Sequence, residues 1–115
     1  MVLTLGLGFS GHTFAADADS VFSSLSSYRV NSYQTNSHRV YLHRGDTVDV
    51  SLSGDGTTDL DLYVYDAYGN LCASRTGPYD DEAVSLDVYE SEYFTIRVVN
   101  RGYDYNDYNL SVEVY

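Results

Sequence analysis

Between Arg39 and Tyr115, apolar and polar positions alternate in short runs with the two-residue period that gives a β-strand one buried face. Val40 and Leu42 alternate with Arg39, Tyr41 and His43, and Val48, Val50 and Leu52 with Thr47, Asp49 and Ser51. The most regular run sets Leu60, Leu62 and Val64 against Asp59, Asp61, Tyr63 and Tyr65. A short strand is expected from Leu71 to Ser74. Val84, Leu86 and Val88 mark the next, Phe94, Ile96 and Val98 another, and Leu110, Val112 and Val114 the last. Turn residues separate them: Arg44-Gly45-Asp46, Ser53 to Gly56, Tyr68-Gly69-Asn70, Thr76-Gly77-Pro78, Glu90-Ser91-Glu92 and the polar stretch Asn100 to Asn106. No segment carries the 3.6-residue period of a helix. Short strands with tight turns and no crossover helices predict an all-β, antiparallel β-sandwich.

The N-terminal third is less regular. Ser20 to Ser37 is rich in Ser and Asn and predicts only a short strand over Tyr28 to Val30. Ahead of it, Val2 to Phe9 is an apolar run too short to span a bilayer, followed by Ala15-Ala16-Asp17-Ala18. Together they resemble the apolar core and cleavage region of a secretory leader without its basic start. The competing reading is an apolar first strand of the domain itself. We take residues 1–18 as the leader and 19–115 as a single secreted domain, since 115 residues suffice for one core and show no internal repeat.

Charge narrows the function classes. The net charge is −11, from 17 acidic residues against 6 basic ones, every basic residue being Arg. That balance repels nucleic acid and anionic membrane surfaces, so neither is an expected partner. It fits a secreted protein, a calcium binder or a protein from a salty habitat. The single cysteine, Cys72, excludes an internal disulfide and a cysteine-based zinc cluster, and is expected to be a small buried hydrophobe. An intermolecular disulfide is the alternative.

Asp59 and Asp61 share one strand face about 6.6 to 6.8 Å apart, a costly arrangement without a cation or solvent to screen it. Calcium takes six to eight oxygens, and Asp55, Asp59 and Asp61 offer them from a turn and a strand, with Asp80, Asp81 and Glu82 on a loop that strand pairing could bring alongside. These six are the candidate Ca²⁺ ligands; the competing reading is a solvated acidic surface. Tyr63, Tyr65 and Tyr93, with Tyr41, point outward and form a candidate platform for an extracellular protein or polysaccharide, against the plainer reading that they cover the sheet and pair across strands. No enzyme is expected. There is no Gly-x-Ser-x-Gly elbow, and His12, His38 and His43 lack metal spacing. Asp59 and Asp61 as the acid and base of glycoside cleavage would need a cleft that a single small sandwich does not supply.

The stretch from Val40 to Val114 resembles the bacterial pre-peptidase C-terminal domain. The resemblance rests on Arg44-Gly45-Asp46 before Val48-x-Val50-x-Leu52, on Asp59-Leu60-Asp61-Leu62-Tyr63-Val64-Tyr65-Asp66 followed by Gly69, on Glu82 ahead of a strand, on Tyr93-Phe94-Thr95-Ile96-Arg97-Val98, and on Tyr108-Asn109-Leu110-Ser111-Val112. Ser91-Glu92 stands where the family usually has Gly. The resemblance implies a jelly-roll-like sandwich and a non-catalytic accessory or binding role of the type attached to extracellular peptidases. It also implies stabilisation by Ca²⁺ and a peptidase partner. A free-standing module that binds polysaccharide or matrix protein through the tyrosines is the alternative.

Overall fold

The computed structural model describes residues 13–15 and 22–115, with side chains from Leu25 onward. Among these residues nine strands form two sheets: β1 (Thr13–Ala15), β2 (Phe22–Val30), β3 (Thr35–Leu42), β4 (Thr47–Ser53), β5 (Leu60–Tyr65), β6 (Leu71–Arg75), β7 (Asp81–Asp87), β8 (Glu92–Asn100) and β9 (Asn106–Val114). One sheet has the order β1-β3-β8-β5-β6 and the other β2-β9-β4-β7. All pairings are antiparallel except the short β1 beside β3. This is the expected antiparallel jelly-roll-like sandwich. Every connection from β2 onward crosses between sheets except the β5–β6 hairpin. The expected leader, residues 1–18, falls almost wholly outside the described residues.

The period-two apolar positions supply the core. Val40, Leu42, Val48, Val50, Leu52, Leu60, Leu62, Val64, Phe94, Ile96, Val98, Leu110, Val112 and Val114 are all buried between the sheets. Val84 is only half-buried because β7 is an edge strand. The stretch expected to hold one short strand instead holds a nine-residue strand, β2, paired along its whole length with β9, and the start of β3. Its Ser-rich alternation hid it: β2 lies at a sheet edge, where fewer apolar side chains are needed. Cys72 is exposed rather than buried, since β6 is the opposite sheet's edge and only Ala73 of that strand packs against the core.

The up-and-down path sorts the connections into two groups. Turns at 43–46, 66–70 and 88–91 share one end of the sandwich, bound together by Gly45 N–H to Val88 O and Ala67 N–H to Glu92 Oε1. Loops 31–34, 54–59, 76–80 and 101–105 share the other.

Candidate functional site: a carboxylate cluster beneath the loop end

Asp59 lies just before β5, Asp61 is its second residue, and Glu82 is the second residue of β7. The step from loop 54–59 into β5 and from loop 76–80 into β7 brings the three together, with one ligand-capable oxygen from each lying within 4.8 Å of the others. Three carboxylates that close can share one cation. Asp61 faces protein rather than water, with 5 % of its surface exposed, and Glu82 keeps 6 %. Burial is where this departs from an ordinary acidic surface.

Each carboxylate of the buried pair spends one oxygen on an arginine. Arg101 donates from Nε to Asp61 Oδ2 at 2.9 Å and from Nη2 to the Tyr63 hydroxyl at 3.2 Å. Arg75 Nε stands 3.7 Å from Glu82 Oε2. The remaining oxygens, Asp61 Oδ1 and Glu82 Oε1, are buried without a hydrogen-bond partner, as is Asp59 Oδ1. Burial raises the pKa of Asp59, with the Asp61 and Asp80 charges adding to it against Arg101. Burial likewise raises that of Glu82, opposed by Arg75 and reinforced by Asp61 and Asp59. With the Asp80 charge close enough to act on Asp59, the carboxylates outnumber the two guanidinium groups, and a cation would offset the excess.

The other expected ligands sit nearby in different roles. Asp80 is buried and locks loops: its Oδ2 accepts from Gly56 N–H at 2.6 Å and from Asn106 Nδ2 at 3.0 Å. Asp55 caps its own turn by accepting from Thr57 and reaches β9 through Asp107 N–H at 2.9 Å. Asp81 is exposed. The residues that sequence reasoning missed are Arg75, Arg101 and Asn106. The two arginines come from distant strand ends and have no spacing signal; Asn106, the first residue of β9, reads in the sequence as the end of a polar loop until its three partners are seen.

The outward tyrosines do share one face, across β3, β8 and β5. Tyr41 meets Tyr93 edge-on with ring centres 5.0 Å apart, and Tyr63 lies beside Tyr65 at 6.3 Å, nearly parallel. Arg39 lies over the Tyr93 ring at 4.1 Å and Arg97 over Tyr65 at 5.1 Å. These rings are thus already occupied by each other and by guanidinium groups. No helix among the described residues is long and apolar enough to cross a membrane.

A small jelly-roll-like sandwich with a buried carboxylate cluster at its loop end defines the class: a β-sandwich module. No family model matches the chain, and no curated relative does. Solved structures do. The PliG of Aeromonas hydrophila, a periplasmic lysozyme inhibitor of g-type lysozyme, is similar with a TM-score of 0.71 at 14% identity, covering 92% of this chain and 98% of its own. The pre-peptidase C-terminal domain of collagenase from Bacillus anthracis is similar with a TM-score of 0.61 at 10% identity, covering 93% and 98%. The Salmonella Typhimurium PliG follows with 0.58 at 15%, covering 90% and 97%. At these identities the likeness is one of fold, and the fold is the one the pre-peptidase resemblance implied.

Proposed function

We propose that the chain is a non-catalytic binding or accessory module that works outside the cytoplasm and is stabilised by Ca²⁺. The observation that carries this reading is the set of three unpartnered, buried carboxylate oxygens on Asp59, Asp61 and Glu82. A hard cation with oxygen preference suits an all-carboxylate set, with water completing its shell. The fold neighbours support a module outside the cytoplasm: two are periplasmic inhibitors of a lysozyme and one is an appended domain of a collagenase. The same neighbours lend support to a protein partner, a peptidase among the candidates. Binding of a polysaccharide through the sheet-face tyrosines draws less support, because Arg39 and Arg97 already cover two of those rings.

Thermal unfolding in EDTA and in millimolar CaCl₂, against MgCl₂ and NaCl at matched ionic strength, tests the calcium reading. Saturation at 100 times Kd should add about 2.7 kcal/mol. The rise should be specific to Ca²⁺ and absent from Asp59→Asn and Glu82→Gln variants. A rise shared by all salts would reduce the cluster to a screened acidic surface.

A further inference from the structure

We infer that the loop end of the sandwich is a docking surface for a basic protein, held through Tyr33, Tyr79 and Tyr103. The inference rests on the reading of the chain as a binding module and not on calcium. Each of the three tyrosines is exposed; Tyr79 and Tyr103 leave 74 % and 80 % of their surface to solvent. They stand on three of the four loops that share this end, amid Asn, Ser, Gly, Thr and Asp. Rings of this kind provide large contact areas with few rotors, and small polar neighbours adapt their hydrogen bonds to a partner.

The loops are tied to one another, so little order remains to be gained on binding. Tyr33 N–H donates to Gly102 O at 3.1 Å, joining 31–34 to 101–105, and Arg101 N–H donates to Asp59 O at 2.9 Å, joining 101–105 to 54–59. Thr57 Oγ1 donates to Tyr105 O at 3.0 Å, and Gly54 N–H to Asp80 O at 3.0 Å, which brings in 76–80. Asn100, at the root of loop 101–105, donates from its amide to Asn31 O at 3.1 Å and Asp104 O at 2.8 Å.

Charge selects the partner. Asp55, Asp59, Asp80 and Asp104 lie in these loops, while the arginines of this end, Arg29, Arg75 and Arg101, are each held by a carboxylate outside the loops, Asp107, Glu82 and Asp61. With a net charge of −11, the chain repels a second copy of itself and any anionic polymer, and steers a cationic surface toward it. The molecule also shows how such a cation would be received. At the rim of this end, Arg29 lies 3.8 Å from the centre of the Tyr105 ring while its Nε and Nη2 donate to Asp107 at 2.7 and 3.0 Å. An incoming Arg or Lys can use the same two attractions, a ring face and a carboxylate, where the exposed tyrosines share these loops with Asp55 and Asp104.

The test is a titration of the full, ¹⁵N-labelled chain with g-type lysozyme and with cytochrome c at physiological salt, with ovalbumin as an acidic control. Saturable one-to-one binding to one of the basic proteins is expected, with amide shifts concentrated in 31–34, 54–59, 76–80 and 101–105. Tyr79→Ser with Tyr103→Ser should weaken binding at least tenfold, while Tyr68→Ser with Tyr89→Ser, at the opposite end, should leave it unchanged. Shifts spread over the whole acidic surface, shifts centred on 66–70 and 88–91, equal losses in both double variants, or no saturable binding would each overturn the inference. Repeating the titration in EDTA and in CaCl₂ separates it from the calcium reading: failure here with the Ca²⁺-specific thermal shift intact sinks the docking surface alone.

Discussion

Tyr108 is an inward residue of β9 that carries a hydroxyl into the core and has it met there. Asn36 Nδ2 donates to it at 3.0 Å, and His38 Nε2 lies 2.6 Å away, all three side chains being buried. Burial pushes its pKa up, so the phenol stays neutral. Tyr108→Phe keeps the ring and strips both partners of that contact, and should cost about 1 to 3 kcal/mol in urea unfolding. A loss near zero would mean the polar trio carries no stability. The carboxylates give a second residue-scale outcome, in pH. Asp59 and Glu82 hold protons more tightly folded than unfolded, so the stability they contribute is present when protonated and lost as pH rises through their folded pKa values. Asp55, Asp66 and Asp107 are shifted down by the bonds from Thr57, Asn70 and Arg29 respectively, so theirs is present above the unfolded value of about 3.9 and lost as pH falls through the lowered ones. Calorimetry in EDTA should therefore show Tm rising as pH falls from neutral toward the ordinary carboxylate range, and falling again as pH drops below that range. Asp59→Asn should flatten part of that rise, which a general relief of surface repulsion would not predict.

At the scale of elements, the loop end depends on Asn106, the first residue of β9. Its Oδ1 accepts from Asp55 N–H at 3.1 Å while its Nδ2 donates to Asp80 Oδ2 at 3.0 Å and Thr58 Oγ1 at 3.1 Å, so one amide joins two loops to a strand. Asn106→Ala leaves the buried Asp80 carboxylate with one partner fewer and should cost about 2 to 3 kcal/mol by chemical denaturation, with faster amide exchange in 54–59. Unchanged exchange there would show the loops stand without it. Gly54 belongs to the same network, because a Cβ at that position would run into the Asp80 side chain. Little of this was legible in the sequence. Strands with apolar faces declared themselves, since Leu60, Leu62 and Val64 can be buried in only one register. β2 did not, because Ser23, Ser24, Ser26 and Ser27 carry no hydrophobic signal; pairing with β9 and the packing of Tyr28 and Val30 at its end fix it. Of the candidate ligands, Asp59, Asp61 and Glu82 were named from composition. What distinguishes them from Asp55, Asp80 and Asp81 is which oxygens find donors, and that depends on Arg75, Arg101 and Asn106 arriving from elsewhere in the chain.

The whole molecule is ordered by its crossings. β2 and β9, the first long strand and the last, lie side by side over nine residue pairs from Phe22↔Val114 to Val30↔Asn106. Most of its contacts therefore join residues far apart in the chain, a topology that folds slowly because long loops must close before any pairing rewards them. A chain emerging one residue at a time has no partner for β2 until its final strand is free. The β3-β8-β5-β6 sheet and the β4–β7 pair need nothing from β9, but the second sheet stays open, with β2 detached, until β9 is in place. In that sense the C-terminal strand is the latch of the domain, and a nick or truncation inside 106–114 would release both edges of the β2-β9-β4 ladder together.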